Sequence, residues 1–306
     1  MIVSKQDAAE DMPKERDAHF LHEKSAFEPV LCPPIDRPRA ITWIGKTAKL
    51  LCATEVGEIV EIDPVFGTRT LDTHVNDPAL ISVSPSGKRV VVVERGRGVT
   101  LLAPTGDRIK SIRCELLSDI QLAWFTRTDG RGALAVVGDT LDGRKALLIE
   151  KDFSRHRTAR IPQQTTVGAG RGGKLLAARC CTDGLDVVSF GKPMKKSIPS
   201  RHRLRFGGGG VLLGMAEGGV TIWRNHKQSN TVMVYDVTAA AVSDNGMVAI
   251  GTREGDVAFC NIDGDIVGRA HPDRVGGHTG AVREMAFSKK ARWLATSADS
   301  LWLWRY

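Results

Sequence analysis

The sequence predicts an all-β ring of seven repeated units, a β-propeller, and three observations carry that prediction. Helical periodicity ends within the first two dozen residues, and from Pro38 onward the chain reads as short apolar strands separated by Gly, Asp, Asn and Pro. Three segments share one layout: a strand ending in Ser84, Ser243 or Ser288, a short polar turn, an aliphatic strand, a charged turn and a third strand. Their spacing fits a repeat of about 40 to 45 residues with four strands per unit, the period of a propeller blade.

Taken in order, residues 1–25 form an acidic extension in which Asp11 to Lys24 has a helical pattern with Pro13 suited to a first turn. The period then divides the chain into units at 38–74, 78–114, 119–162, 164–200, 203–236, 237–272 and 278–306, so that 26–306 is one propeller domain. The last unit has sequence for three strands only. An open edge there would leave unpaired backbone groups, and the stretch Ala26 to Cys32 (AFEPVLC) is the one unassigned strand that can fill it. Pro29 suits that place, because an outermost strand tolerates a residue without an N–H. The expected fold is therefore a seven-bladed ring closed by an N-terminal strand at about 26–32, with a short helical extension outside it.

Composition removes several classes. The 306 residues are 42% hydrophobic and 25% charged, which is globular rather than disordered, and aliphatic runs such as Val90 to Val93 are far too short to span a bilayer. The N-terminus is charged within seven residues and lacks an apolar secretory core, so a cytoplasmic location is expected. Six cysteines in this length are too dilute for a disulfide scaffold and none form Cys-x-x-Cys. The formal charge of +8 is uneven: residues 1–30 hold seven acids and four bases, which leaves the remainder at +11.

The segment Gly276 to Tyr306 carries a Gly-His pair (Gly277, His278), Val282, Phe287-Ser288, the run Leu294 to Asp299 and Trp304. It resembles a WD40 repeat. That resemblance implies a seven-bladed propeller with a hydrogen-bonded structural tetrad, here His278, Ser297 or its neighbour Thr296, Asp299 and Trp304. It also implies a protein-docking face at the turns between second and third strands, where Arg95, Arg97 and Arg253 lie beside Asp139, Asp142, Glu217, Glu254 and Asp299. Solvated turn residues are the plain alternative.

No reaction-bearing constellation emerges. GAGRGGK at Gly168 to Lys174 has the spacing of a phosphate-cradling loop, but Leu175 replaces the magnesium-binding hydroxyl and a strand follows instead of a helix, so it reads as a turn. Gly207 to Gly210 reads as a thin strand or turn near the channel. Cys180 and Cys181 must point to opposite faces of a strand and read as packing. The histidines fall in no ligand spacing, and no metal or cofactor is expected.

Charge arrangement is the main functional signal. Outer strands of consecutive units read DRIKSIRC (Arg108, Lys110, Arg113), SRHRTARI (Arg155, Arg157, Arg160) and PMKKSIPSRHRLR (Lys195 and Lys196, with Arg201, Arg203 and Arg205 running into the next blade). They predict a basic sector on one side of the rim. Such charge either guards strand edges against aggregation or attracts an acidic partner. The expected function is a non-catalytic scaffold or adaptor that binds other protein subunits with acidic surfaces, without membrane insertion. A nucleic-acid-associated subunit gripping phosphates through the same rim is the alternative. A third class is a propeller enzyme or small-ligand binder at the central channel.

Overall fold

The computed structural model describes residues 28–31, 35–45, 47–150, 152–170, 173–181, 184–195, 203–207, 211–224, 227–270, 278–289 and 293–305. The expected helical extension lies outside the described residues. All 27 strands among them fall into seven antiparallel sheets, the blades of a propeller. The first strand, β1 (Glu28–Leu31), belongs to the last blade. Blade 1 runs outward from the centre through β2 (Pro38–Trp43), β3 (Leu50–Thr54), β4 (Glu58–Asp63) and β5 (Gly67–His74). Blade 2 follows with β6 (Pro78–Val83), β7 (Val90–Glu94), β8 (Gly98–Leu102) and β9 (Arg108–Arg113). Blade 3 has β10 (Ser118–Thr126), β11 (Gly132–Thr140), β12 (Gly143–Glu150) and β13 (His156–Arg160).

Blade 4 shows three strands among the described residues, β14 (Thr166–Ala169), β15 (Leu175–Cys181) and β16 (Gly184–Ser189). Blade 5 is β17 (Arg203–Phe206), β18 (Leu212–Ala216), β19 (Gly219–Arg224) and β20 (Lys227–Met233). Blade 6 is β21 (Val237–Val242), β22 (Val248–Thr252), β23 (Val257–Cys260) and β24 (Ile266–Ala270). Blade 7 has β25 (Glu284–Phe287), β26 (Trp293–Ser297) and β27 (Leu301–Arg305), and β1 completes it as the outer strand. Its register pairs Glu28 with Arg305, Pro29 with Trp304 and Leu31 with Trp302. The closure is the expected one; residues 26, 27 and 32 of the expected strand lie outside the described residues.

Burial explains the sequence pattern. A middle strand of a blade is covered on both faces by neighbouring blades, so Val90–Glu94 and Gly98–Leu102 are buried at every position and read as runs rather than alternation. Outer strands face water: in Gly67–His74 and Arg108–Arg113 one residue each, Leu71 and Ile112, is buried. Among the described residues seven apolar clusters fill the seven spaces between blades, including the one that joins Ile41, Leu50 and Ile62 of blade 1 to Leu301 and Leu303 of blade 7. Small residues in LLAARCC leave the cluster between blades 4 and 5 with four fully buried members, Ala178, Leu204, Leu212 and Trp223.

One device recurs where the chain passes from an outer strand to the next inner one. Arg37, Asp77, Asp119 and Asp236 all have positive φ, from 39° to 54°; Arg37, Asp77 and Asp236 directly precede a bulge in the inner strand and Asp119 lies within one. Short Asn or Asp side chains tolerate this conformation better than most. The carbonyls of Arg37, Asp77 and Asp236 accept N–H bonds of 2.9 to 3.0 Å from Glu55, Arg95 and Arg253, tying each connection to the adjacent turn. This fixes one face of the ring and sets the angle at which the inner strands meet the channel.

Candidate interaction surfaces and central channel

The tetrad forms, with one exchange of residue. In blade 7 the buried His278 meets Thr296 Oγ1 through Nε2 at 2.7 Å, and Trp304 Nε1–H donates to the same oxygen at 2.9 Å. Asp299 Oδ1 stands 3.5 Å from His278 Nδ1 and its other oxygen accepts from Thr279 Oγ1 at 2.6 Å. Burial pushes the His278 imidazole down to about 4 against the pull of Asp299, so it is neutral at physiological pH. The hydroxyl member is Thr296 and not Ser297, because adjacent strand residues point to opposite faces. Ser297 Oγ is buried with no hydrogen-bond partner. Gly255, at φ 94°, packs directly over His278: a Cβ there would lie 2.1 Å from the His278 carbonyl oxygen. Thr296→Val should therefore cost about 1–3 kcal/mol by orphaning two buried donors or acceptors, whereas Ser297→Ala should be near neutral. Denaturant titration of the two variants checks this, and equal losses would return the role to both residues.

Part of the expected rim sector lies among the described residues. Arg108, Lys110 and Arg113 on blade 2 and Arg155, Arg157 and Arg160 on blade 3 are all exposed. None of these six cations is within ion-pair distance of a described carboxylate, although Lys110 lends its field to Asp152 and Arg108 Nη2 donates to the His74 carbonyl at 3.0 Å. Lys195 is exposed beside blade 4 and its N–H donates to Asp186. Lys196 and Arg201 lie outside the described residues. Arg203 and Arg205 are misplaced in the sequence reading: they sit on β17, the innermost strand of blade 5, and line the channel instead of the rim. The strand pattern locates them in a strand but not at which radius.

On the turn face Arg95, Arg97 and Arg253 are exposed at the tips of the turns of blades 2 and 6. Arg95 leans towards Asp77 at 3.9 Å and also reaches the channel mouth. Asp139 is drawn inward to a structural arginine that sequence reading missed. Arg144 has a side chain only 1% exposed; its guanidinium binds Asp139 at 2.8 Å and Asp119 at 2.9 Å, and its Nε–H donates to the Thr165 carbonyl at 2.8 Å. A lone Arg after a turn reads as solvated, and its burial has no local signal. Of GAGRGGK, Gly168 and Ala169 end β14, Arg171 and Gly172 lie outside the described residues, and the Gly170 N–H donates to the Lys174 carbonyl at 2.8 Å, just before β15. Gly207 lines the channel, where a Cβ would lie 1.8 Å from Val242 Cγ1; Gly208 to Gly210 lie outside the described residues.

The channel has a volume of about 1340 Å³ and is walled by the inner strands. Its lining holds six cations against three carboxylates. Arg39 spends its charge on Glu55 and Asp77 at 3.2 and 3.3 Å. Glu284 accepts the Ile41 N–H at 2.8 Å across the seam between blades 7 and 1, and burial pushes its carboxyl up to about 8 despite that bond and the nearby Arg205. Trp43 Nε1–H crosses the same seam to the Ala286 carbonyl at 2.8 Å. Among the described residues no three His, Cys, Asp or Glu side chains converge as metal ligands.

Sheet order, ring closure and channel define a seven-bladed β-propeller. Comparison with solved structures agrees: the β-propeller domain of Cps50 (Swd1) from Myceliophteria thermophila superposes with a TM-score of 0.70 at 14% identity, over 92% of this chain and 99% of that one. No family model matches the chain, and no curated protein sequence does.

Proposed function

We propose that the chain is a non-catalytic, WD40-like propeller scaffold that docks an acidic surface of a partner protein on the outer strands of blades 2 and 3. The observation that carries this reading is the set of six exposed cations, three on β9, two on β13 and Arg155 just before it, without carboxylate partners among the described residues. Edge protection alone would be served equally by mixed charge, whereas a single sign raises the local potential and steers an oppositely charged partner. The tetrad in blade 7 supports the WD40-like assignment, since its four side chains are spent on holding strands together.

The test is affinity capture at moderate salt with the native chain and with Arg108→Glu, Lys110→Glu, Arg157→Glu and Arg160→Glu combined. A protein retained by the native chain and reduced at least tenfold on the variant supports the reading. Retention that nuclease abolishes turns it towards phosphate-backbone binding, which should also weaken steeply with salt. Equal retention by both chains removes the rim from consideration.

A further inference from the structure

Blade 6 presents an unusual inner strand to the channel. Its sequence from Val237 is VTAAAV, and Ala239, Ala240 and Ala241 line the cavity where neighbouring blades offer larger side chains. The small wall leaves a recess. On one side of it blade 5 supplies Arg203 and Arg205, and on the other blade 7 supplies Arg283.

These guanidinium groups are poorly served by the protein. Arg205 keeps only 31% of its side chain exposed, yet its one ion pair is Asp119 Oδ1 at 3.5 Å, and among the described residues it donates no hydrogen bond. Asp119 is already engaged at 2.9 Å by Arg144, whose guanidinium nitrogens are all used. Burial works most strongly against the Arg205 cation and the charges of Arg203 and Arg144 add to it, against the pull of Asp119 and Glu284. Arg203 and Arg283 are exposed to the channel and have no ion pair to a described carboxylate. Glu284 also acts on Arg205 through its field, but its raised pKa leaves it largely protonated at pH 7, so it neutralises little. A half-desolvated guanidinium with idle donors, facing an open recess, is matched by a ligand with several anionic oxygens.

From this geometry we infer that the recess between blades 5 and 7 is a binding site for a small, multiply charged oxyanion, with Arg203, Arg205 and Arg283 as its cationic groups. The shared chemistry is that of a phosphate ester or a di- or tricarboxylate. Planar arginine forks grip either in bidentate fashion, and the alanine wall gives the ligand room beside them. The inference is independent of the rim, which lies on the outer edge of other blades.

Calorimetric titration of the full chain with pyrophosphate and, separately, with citrate at constant ionic strength tests it. Saturable one-to-one binding of either probe is expected, the tighter of the two identifying the anion class. Arg205→Gln should weaken it at least tenfold, and so should Arg203→Gln with Arg283→Gln. Ala240→Leu, which fills the recess without touching a charge, should do the same. The fourfold rim variant should bind as the native chain does. Absence of saturable binding by both probes overturns the inference. So does unchanged binding by Ala240→Leu, an outcome that stays readable even if Arg205→Gln fails to fold.

Discussion

Removal of residues 1–31 is expected to destabilise the whole ring instead of trimming an end. The deletion strips β1 from β27 and leaves Leu301–Arg305 as a bare edge, so backbone groups now paired along four residues lose their partners. It also loosens the seam where Glu284 and Trp43 bond across to blades 1 and 7. A loss of about 3 kcal/mol or more is expected, lowering the melting midpoint by about 5 °C or more in a domain of this size. Circular dichroism melts and size-exclusion profiles read both parts of the effect, since an open edge recruits other chains. Removal of residues 1–24 is the control and should leave the melt in place. If the longer deletion melts like the control, β1 does not close the ring.

Trp304→Ala should be the most damaging single substitution. The indole is 1% exposed, packs edge-on against Phe259 of blade 6 at 6.2 Å, and donates to Thr296. Truncation leaves a large cavity and an orphaned hydroxyl, at a cost of about 3–5 kcal/mol. The same knot makes stability sensitive to acid. His278 is held near 4 in the folded chain against 6.5 as a free side chain, so the unfolded state binds the extra proton first. Its contribution is complete above pH 6.5, falls progressively between 6.5 and 4, and is on the order of 3 kcal/mol in total. Urea midpoints across that window measure it. His278→Gln should flatten the slope, and a variant that keeps the full native slope would show that another group carries it.

The repeat made most of this architecture readable before any coordinates. A blade is one repeat, and its two middle strands announce themselves as uninterrupted apolar runs because both faces are covered. Ring closure followed from counting: blade 7 lacked a strand and AFEPVLC had no other place. What the sequence concealed was radius and face. Arg203 and Arg205 alternate with Leu204 as they would on an outer strand, and only the start of the next unit places them innermost. A shift of one residue exchanged Thr296 for Ser297, because in a strand one step reverses the side-chain direction. The recurring positive-φ positions at Arg37, Asp77, Asp119 and Asp236 did have a signal, since the first three lie roughly one repeat apart. Their spacing was legible and their side chains differ enough to hide it.

The register that joins Glu28 to Arg305 also imposes a schedule. During synthesis β1 leaves the ribosome first and β27 last, so the blades stack into an arc that cannot shut until the final residues are free. Until then the flank of blade 1 built from Ile41, Leu50 and Ile62 stays wet and adhesive. The first and last strands of the ring are thus one structural unit made at different times, and a ribosome that stops before Trp302 delivers an arc with no means of becoming a ring.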